Sequence, residues 1–381
     1  MEENSKKIDT YLKKITGKKP DDYYTKIIPL EDLRPGDILA FSGEGEESLI
    51  TKLILCFTNS WVSHGALFYQ HGPVEALTDA GSTGIQGHKV TSNPEDRVAY
   101  VSRLIKTSKI GNKSSFYSDK EMAPVLAAAK GYVEQDLPYP YADLVFLALI
   151  LLYKDHSQAG IKQSIIIALL RCLAAELKKL LDDKYRHNYT MVCSSLVYQC
   201  YLDASKKNRK FKLKLTKDAD LSCRTSKKGL HNQNRRKANT LLDLYAEHAA
   251  EYDFKTEAFH QAINDAEPIS NIEDLAKEIF ESDRSNRVMM LKGNALSSAI
   301  ENLLKTLMEV LGFTFTSIKD MIKNAREMQA MFVTPNDLCF NIENVKKIGK
   351  VHLNRADENL PHEQLTDLGP NPNKETTPQK I

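Results

Sequence analysis

The stretch Val192-Cys193-Ser194-Ser195-Leu196-Val197-Tyr198-Gln199-Cys200-Tyr201 decides how this chain is read. Leu196, Val197, Cys200 and Tyr201 recur at spacings of three and four, which predicts a helix over 193–204 with one apolar face. Cys193 then stands in its first turn, directly after Tyr189-Thr190-Met191-Val192. Unpaired backbone N–H groups and the helix dipole favour an anion there, and so favour a thiolate. An adjacent imidazole would complete a thiolate–imidazolium pair, and the same N–H groups would receive an oxyanion. Cys200, on the same face, reads as a packing residue.

Working towards the N-terminus, the imidazole candidate is His64. It opens the apolar run Ser63-His64-Gly65-Ala66-Leu67-Phe68-Tyr69-Gln70, just after a loop holding the only tryptophan, Trp61. This run and Val74–Asp79 predict a hairpin across His71-Gly72-Pro73. A turn centred on His71-Gly72 would set Asp79 opposite His64, with Glu75 on the same face two pairs away. Leu33-Arg34-Pro35-Gly36-Asp37 reads as a turn feeding the buried strand Ile38–Phe41, and Val98–Arg103 as a further strand. Helical spacing marks 48–58, 121–135, 141–154, 161–181 and several segments within 238–330.

In this order the motifs resemble the circularly permuted papain-like superfamily. Arg34-Pro35-Gly36-Asp37-Ile38-Leu39, Ser63-His64-Gly65-Ala66-Leu67-Phe68 and Val74-Glu75-Ala76 look like the opening of its YiiX-type branch. That branch is related to NlpC-type peptidases and to lecithin–retinol acyltransferase. Leu137-Pro138-Tyr139 resembles its helix-end element, Val192–Val197 its nucleophile helix, and Val333-Thr334-Pro335-Asn336-Asp337-Leu338 its closing segment. The histidine precedes the cysteine, the permuted order.

The resemblance implies an α+β fold, with an antiparallel sheet, a nucleophile helix and inserted helical subdomains. It implies Cys193 as nucleophile, His64 as general base and Glu75 as the polar third member. NlpC-type relatives often carry histidine one residue beyond that place, and the hairpin register leaves Asp79 as the alternative. The expected chemistry is cleavage of an amide, thioester or ester through a covalent acyl-enzyme. Acyl transfer, a lipid-directed amidase, or a non-catalytic membrane- or partner-binding protein on the same fold are the alternatives.

The expected organisation is a polar segment over 1–26 and a catalytic core over 27–204, with an apolar helical insertion at 141–185. A basic segment and inserted bundle over 205–330, a closing strand segment at 331–352 and a disordered tail at 353–381 complete it.

With 381 residues, 42% hydrophobic and 27% charged, the composition excludes wholly disordered and fibrous classes. The net charge of +2 hides a local excess: thirteen Lys/Arg against Asp218 and Asp220 in Lys206–Lys237. That segment is read as a solvated loop, or as a site for an anionic membrane or an acidic protein partner. With only Phe211 as an aromatic, it lacks the stacking platform of a nucleic-acid binder, and no nucleic acid is expected. The six cysteines form no C-x-x-C pair, and the histidines lack ligand spacing, so neither metal nor cofactor is expected. The sparse cysteines and an N-terminus without the apolar core of a secretory signal point to the cytoplasm. Export by a route that reads no such signal stays open.

Overall fold

The structure is a computed structural model. It describes residues 15–44, 48–70, 76–81, 84–106, 115–134, 142–154, 163–182, 193–216, 240–251, 272–281, 294–329 and 332–360. Within them the chain is mixed α+β, with an antiparallel sheet and ten α-helices. None of these helices is long and apolar enough to cross a membrane.

The strands are β1 (Ile38–Ser42), β2 (Val62–Gln70), β3 (Ala76–Gly81), β4 (Gly84–Thr91), β5 (Arg97–Lys106) and β7 (Val345–Leu360), with a two-residue β6 (Ser115–Phe116) on β5. β1 pairs with β2 and β5, β2 with β3, β3 with β4, and β7 with both β4 and β5. The pairings therefore run in a closed circuit back to β1. Such closure explains why β1 reads as one unbroken apolar run: all five residues are buried, and each face meets a different core. Leu39 and Phe41 join Ala66, Phe68, Ala99, Val101, Val351 and Leu353 in one cluster. Ile38 turns the other way, towards Leu67, Tyr69 and Leu104.

That second face is covered by α2 (Asp119–Val133) and α5 (Cys193–Lys207). Met122, Val125, Leu126 and Ala129 of α2 meet Leu196, Val197, Cys200, Tyr201 and Ala204 of α5 in a single cluster. Both stripes have the spacing of an amphipathic helix. Full burial of each such side chain contributes about 1.5–3 kcal/mol.

The remaining helices form a second, larger core. They are α1 (Leu49–Thr58), α3 (Ala142–Tyr153), α4 (Gln163–Asp182), α6 (Leu241–Glu251), α7 (Ile272–Glu281), α8 (Asn294–Val310) and α9 (Ile318–Gln329). α3 and α4 precede α5 and α6–α9 follow it, yet all pack into one apolar cluster. Every residue from Leu144 to Tyr153 is buried, so the apolar surface of that run is covered by protein.

Three boundaries differ from the sequence reading. Residues 15–26 are not simply a polar leader: Tyr24 is buried, and its hydroxyl donates to the Cys339 carbonyl at 2.7 Å. The closing segment is not all strand and turn, because Pro335–Phe340 is a helix, α10. The tail does not begin at 353, because β7 runs to Leu360 and pairs with β4. Asn354–Leu360 is polar, so no apolar alternation marked it as strand; Pro361 follows it. Of the basic segment, Lys206–Thr216 is tied to the core by buried Phe211 and Leu213 and by a bridge from Leu215 to Ile342. Residues 217–237 lie outside the described set.

One polar cluster fixes the sheet against α5. The Asp37 carboxylate receives Arg103 Nε at 2.6 Å, Arg103 Nη2 at 2.7 Å and the Arg34 N–H at 2.8 Å. Gly36, at φ 90°, turns the chain, and a Cβ there would stand 2.4 Å from Met122 Cε of α2. Its N–H donates to the Phe68 carbonyl at 2.8 Å, and its own carbonyl accepts from Tyr201 of α5. Burial pushes the Asp37 carboxyl up from its ordinary value, while Arg103 pulls it back down.

Replacing either Asp37 or Arg103 by alanine leaves its partner charged and buried. We expect each substitution to cost about 3–5 kcal/mol in urea unfolding. Replacing both by apolar residues of similar volume should cost far less. Equal losses for the single and double variants would refute this account of the pair.

Candidate active site

Cys193 is the first residue of α5, and it is buried, 6% exposed. Its neighbour Ser194 is fully buried and donates from Oγ to the Val333 carbonyl at 2.6 Å. This contact ties the start of α5 to the segment that opens α10. There Thr334 caps the helix: its Oγ1 accepts from the Asp337 N–H at 3.2 Å, and Asp337 Oδ2 accepts from the Thr334 N–H at 2.9 Å. With Pro335 in the first turn, this is the reciprocal box that starts a helix. Asp337 is held further by Asn341 Nδ2 at 2.8 Å and faces Lys154 Nζ, at the end of α3, at 3.9 Å.

β2 crosses α5 at the same place. A Cβ built on Gly65 would lie 3.2 Å from Ser194 Cα and 2.9 Å from Leu338 Cδ1. Strand and helix backbones are thus in direct contact, a separation that only glycine permits without displacement. His64 and Cys193 are the immediate chain neighbours of those two residues. With consecutive Cα atoms 3.8 Å apart, their Cα atoms lie within about 12 Å of each other. The crossing therefore limits how far apart the two residues singled out in the sequence can lie.

The His64 ring is half-buried and packs against Phe41, with centroids 5.9 Å apart and planes tilted by 54°. Phe41 pairs with His64 and Ser42 with Val62, so Ser63 is an extra residue in β2, a bulge just ahead of the histidine. Arg97 of β5 bridges it, donating from Nε to the Ser42 carbonyl and from Nη2 to Ser63 Oγ, both at 2.6 Å. Its guanidinium lies 5.4 Å from the Phe41 ring centroid.

The two candidates for the third member fall differently. Glu75 lies outside the described residues. Its neighbour Ala76 pairs with Gln70, at the end of β2 away from His64. Asp79 lies within β3, where it pairs with Gln86. The hairpin register differs from the expected one. Leu67 pairs with Thr78, and continuing that register sets Asp79 across from Ala66 and Gly81 across from His64. The two-residue offset follows from the longer turn and a bulge between Phe68 and Gln70.

Sequence reasoning missed Arg97 and the bulge, because neither hydrophobic periodicity nor motif spacing reports a two-to-one register. The Thr334–Asp337 box was missed as well, because the segment was read as strand and turn, although Thr-Pro-x-Asp is a helix-start pattern. Among the described residues, no group of three His, Cys, Asp or Glu side chains is placed to hold a metal. No protein-family model matches this chain, and no curated protein matches it at a significant level.

Two measurements follow from this packing. Gly65→Ala should push α5 and Leu338 away from β2 and destabilise the fold by about 1–3 kcal/mol in denaturant titration, the usual cost of overpacking. An unchanged midpoint would mean that the backbones are not in contact. Burial pushes the Cys339 thiol up to about 12 and the Cys200 thiol well up. Iodoacetamide at pH 8 should therefore leave both unmodified in the native protein and modify them after unfolding, as peptide mass spectrometry will report.

Proposed function

We propose that this protein is a thiol-dependent hydrolase that cleaves an amide, thioester or ester through a covalent acyl-enzyme, with Cys193 as nucleophile and His64 as base. The observation that supports the reading is the Gly65–Ser194 contact, made by the residues that directly follow His64 and Cys193 in the chain. The motif order, read as that of a permuted papain-like core, agrees with it.

The chemistry follows in two halves. His64 takes the thiol proton, and the Cys193 sulfur attacks the acyl carbon, forming an S–C bond and moving the carbonyl electrons onto oxygen. Backbone N–H groups in the first turn of α5 receive that oxyanion. As the tetrahedral centre collapses, the bond to the leaving group breaks and His64 returns the proton to it. Water, activated by the same imidazole, then attacks the thioester and releases the acid and free thiol. An alcohol or amine in place of water would give acyl transfer without any change of residues.

For the third member, the strand register favours Asp79 over Glu75. Continuing the register sets Asp79 across from Ala66, two residues along β2 from His64, whereas Ala76, next to Glu75, is paired six residues along β2 from His64. At the rise of a β-strand, that is about 20 Å.

An acyl-thiol-reactive probe at neutral pH tests the assignment. Wild type should label at one site, Cys193→Ala should abolish labelling, and His64→Ala should slow it by about 100-fold or more, the usual scale of a positioned base. Asp79→Asn should slow it more than Glu75→Gln. Labelling that survives Cys193→Ala, or proceeds at the wild-type rate in His64→Ala, would sink the proposal.

A further inference from the structure

We infer that Arg97 is a positioning residue for His64, acting by pinning the β-bulge at Ser63. This rests on the reading of His64 as the base.

Along a regular strand, side chains alternate between faces. Gly65 turns its Cα–H towards Ser194 of α5, and His64, one residue earlier, turns to the opposite face, where its ring packs against Phe41. The extra residue at Ser63 stands immediately before the histidine, so the shape of the bulge sets the backbone from which that ring projects.

A bulge also leaves ladder groups without their usual partners, and it holds one shape only if something else binds them. Arg97 does so from both sides. Nε donates to the carbonyl of Ser42, the β1 residue at the break in register, and Nη2 donates to the hydroxyl of Ser63, the extra residue itself. Ser42 and Ser63 are both buried, 4% and 6% exposed, so their oxygens depend on protein donors. The planar guanidinium supplies two donors in fixed relative geometry, which an ammonium cannot do. Its plane also rests over Phe41, whose other neighbour is the His64 ring. The guanidinium thus governs both the backbone from which His64 projects and the ring against which it leans.

Arg97→Met keeps most of the side-chain volume and removes both donors. The test is steady-state turnover of an activated acyl ester, with probe labelling of Cys193 alongside it. We expect kcat to fall about 100-fold, the scale of a displacement near 1 Å at a reacting group, with KM nearly unchanged. Arg97→Lys, which reaches one acceptor at a time, should recover part of the loss. Ser63→Ala removes a single bond without touching the charge and should fall between wild type and Arg97→Met. It decides the question if the methionine variant fails to fold. Wild-type kcat in folded Arg97→Met, or in Ser63→Ala where the former cannot be made, overturns the inference. An equal loss in Arg97→Lys and Arg97→Met would also count against it. His64→Ala separates the two levels: if it retains wild-type turnover, the base assignment has failed. If it is inactive while Arg97→Met is not, only the positioning role has failed.

Discussion

A carboxylate taken out of water is tolerated only where charge and hydrogen bonds replace the water it lost. At Asp37 a two-pronged guanidinium and a backbone N–H supply that replacement, and the geometry they demand organises the molecule around them. Arg103 must come from β5, the turn must put Gly36 at positive φ, and Tyr201 must reach from α5 to its carbonyl. The pair thus indexes α5 against the sheet. The Asp of the Pro-Gly-Asp element is a structural residue: it stands in a cluster of sheet and helix contacts, not at the crossing of β2 and α5.

From that index the crossing of Gly65 and Ser194 follows. α5 lies on β2 along the stripe Leu196, Val197, Cys200, Tyr201 and Ala204, and its first turn arrives where the strand has no side chain. A larger residue at 65 would hold the helix start away from His64. The glycine is therefore a requirement of the proposed site, although it brings no chemistry of its own.

What could be read in advance divides along physical lines. The helix at Cys193 was legible because one-sided burial imposes a period on its side chains, and the strands at Ile38 and His64 because burial on both faces leaves short continuous apolar runs. The end of β7 was not, because Asn354–Leu360 carries no apolar alternation, and backbone pairing with β4 leaves no mark on side-chain type. The register of β2 and β3 was misjudged by two residues because it depends on turn length and a bulge, not on residue type. The same holds for Arg97, whose value lies in two acceptors from strands distant in sequence. The place of residues 15–26 depended on three buried side chains, Ile15, Pro20 and Tyr24, scattered through an otherwise polar stretch.

The helical additions bear on the site through one short segment. Phe332 packs between Phe146 and Tyr153 of α3, at centroid distances of 5.7 and 5.6 Å. The next residue, Val333, accepts the hydrogen bond from Ser194, and the one after it caps α10. The apolar subdomain and the start of α5 are therefore joined across three consecutive residues. Chain order adds a constraint: α3 and α4 come before α5, α6–α9 after it, and Val333 only at the end. The Ser194 anchor forms only once the chain has passed through the whole second core. The helices around α3 thus buttress the first turn of α5, and the apolar sequence of α3 is explained by that internal load, without a ligand or a membrane.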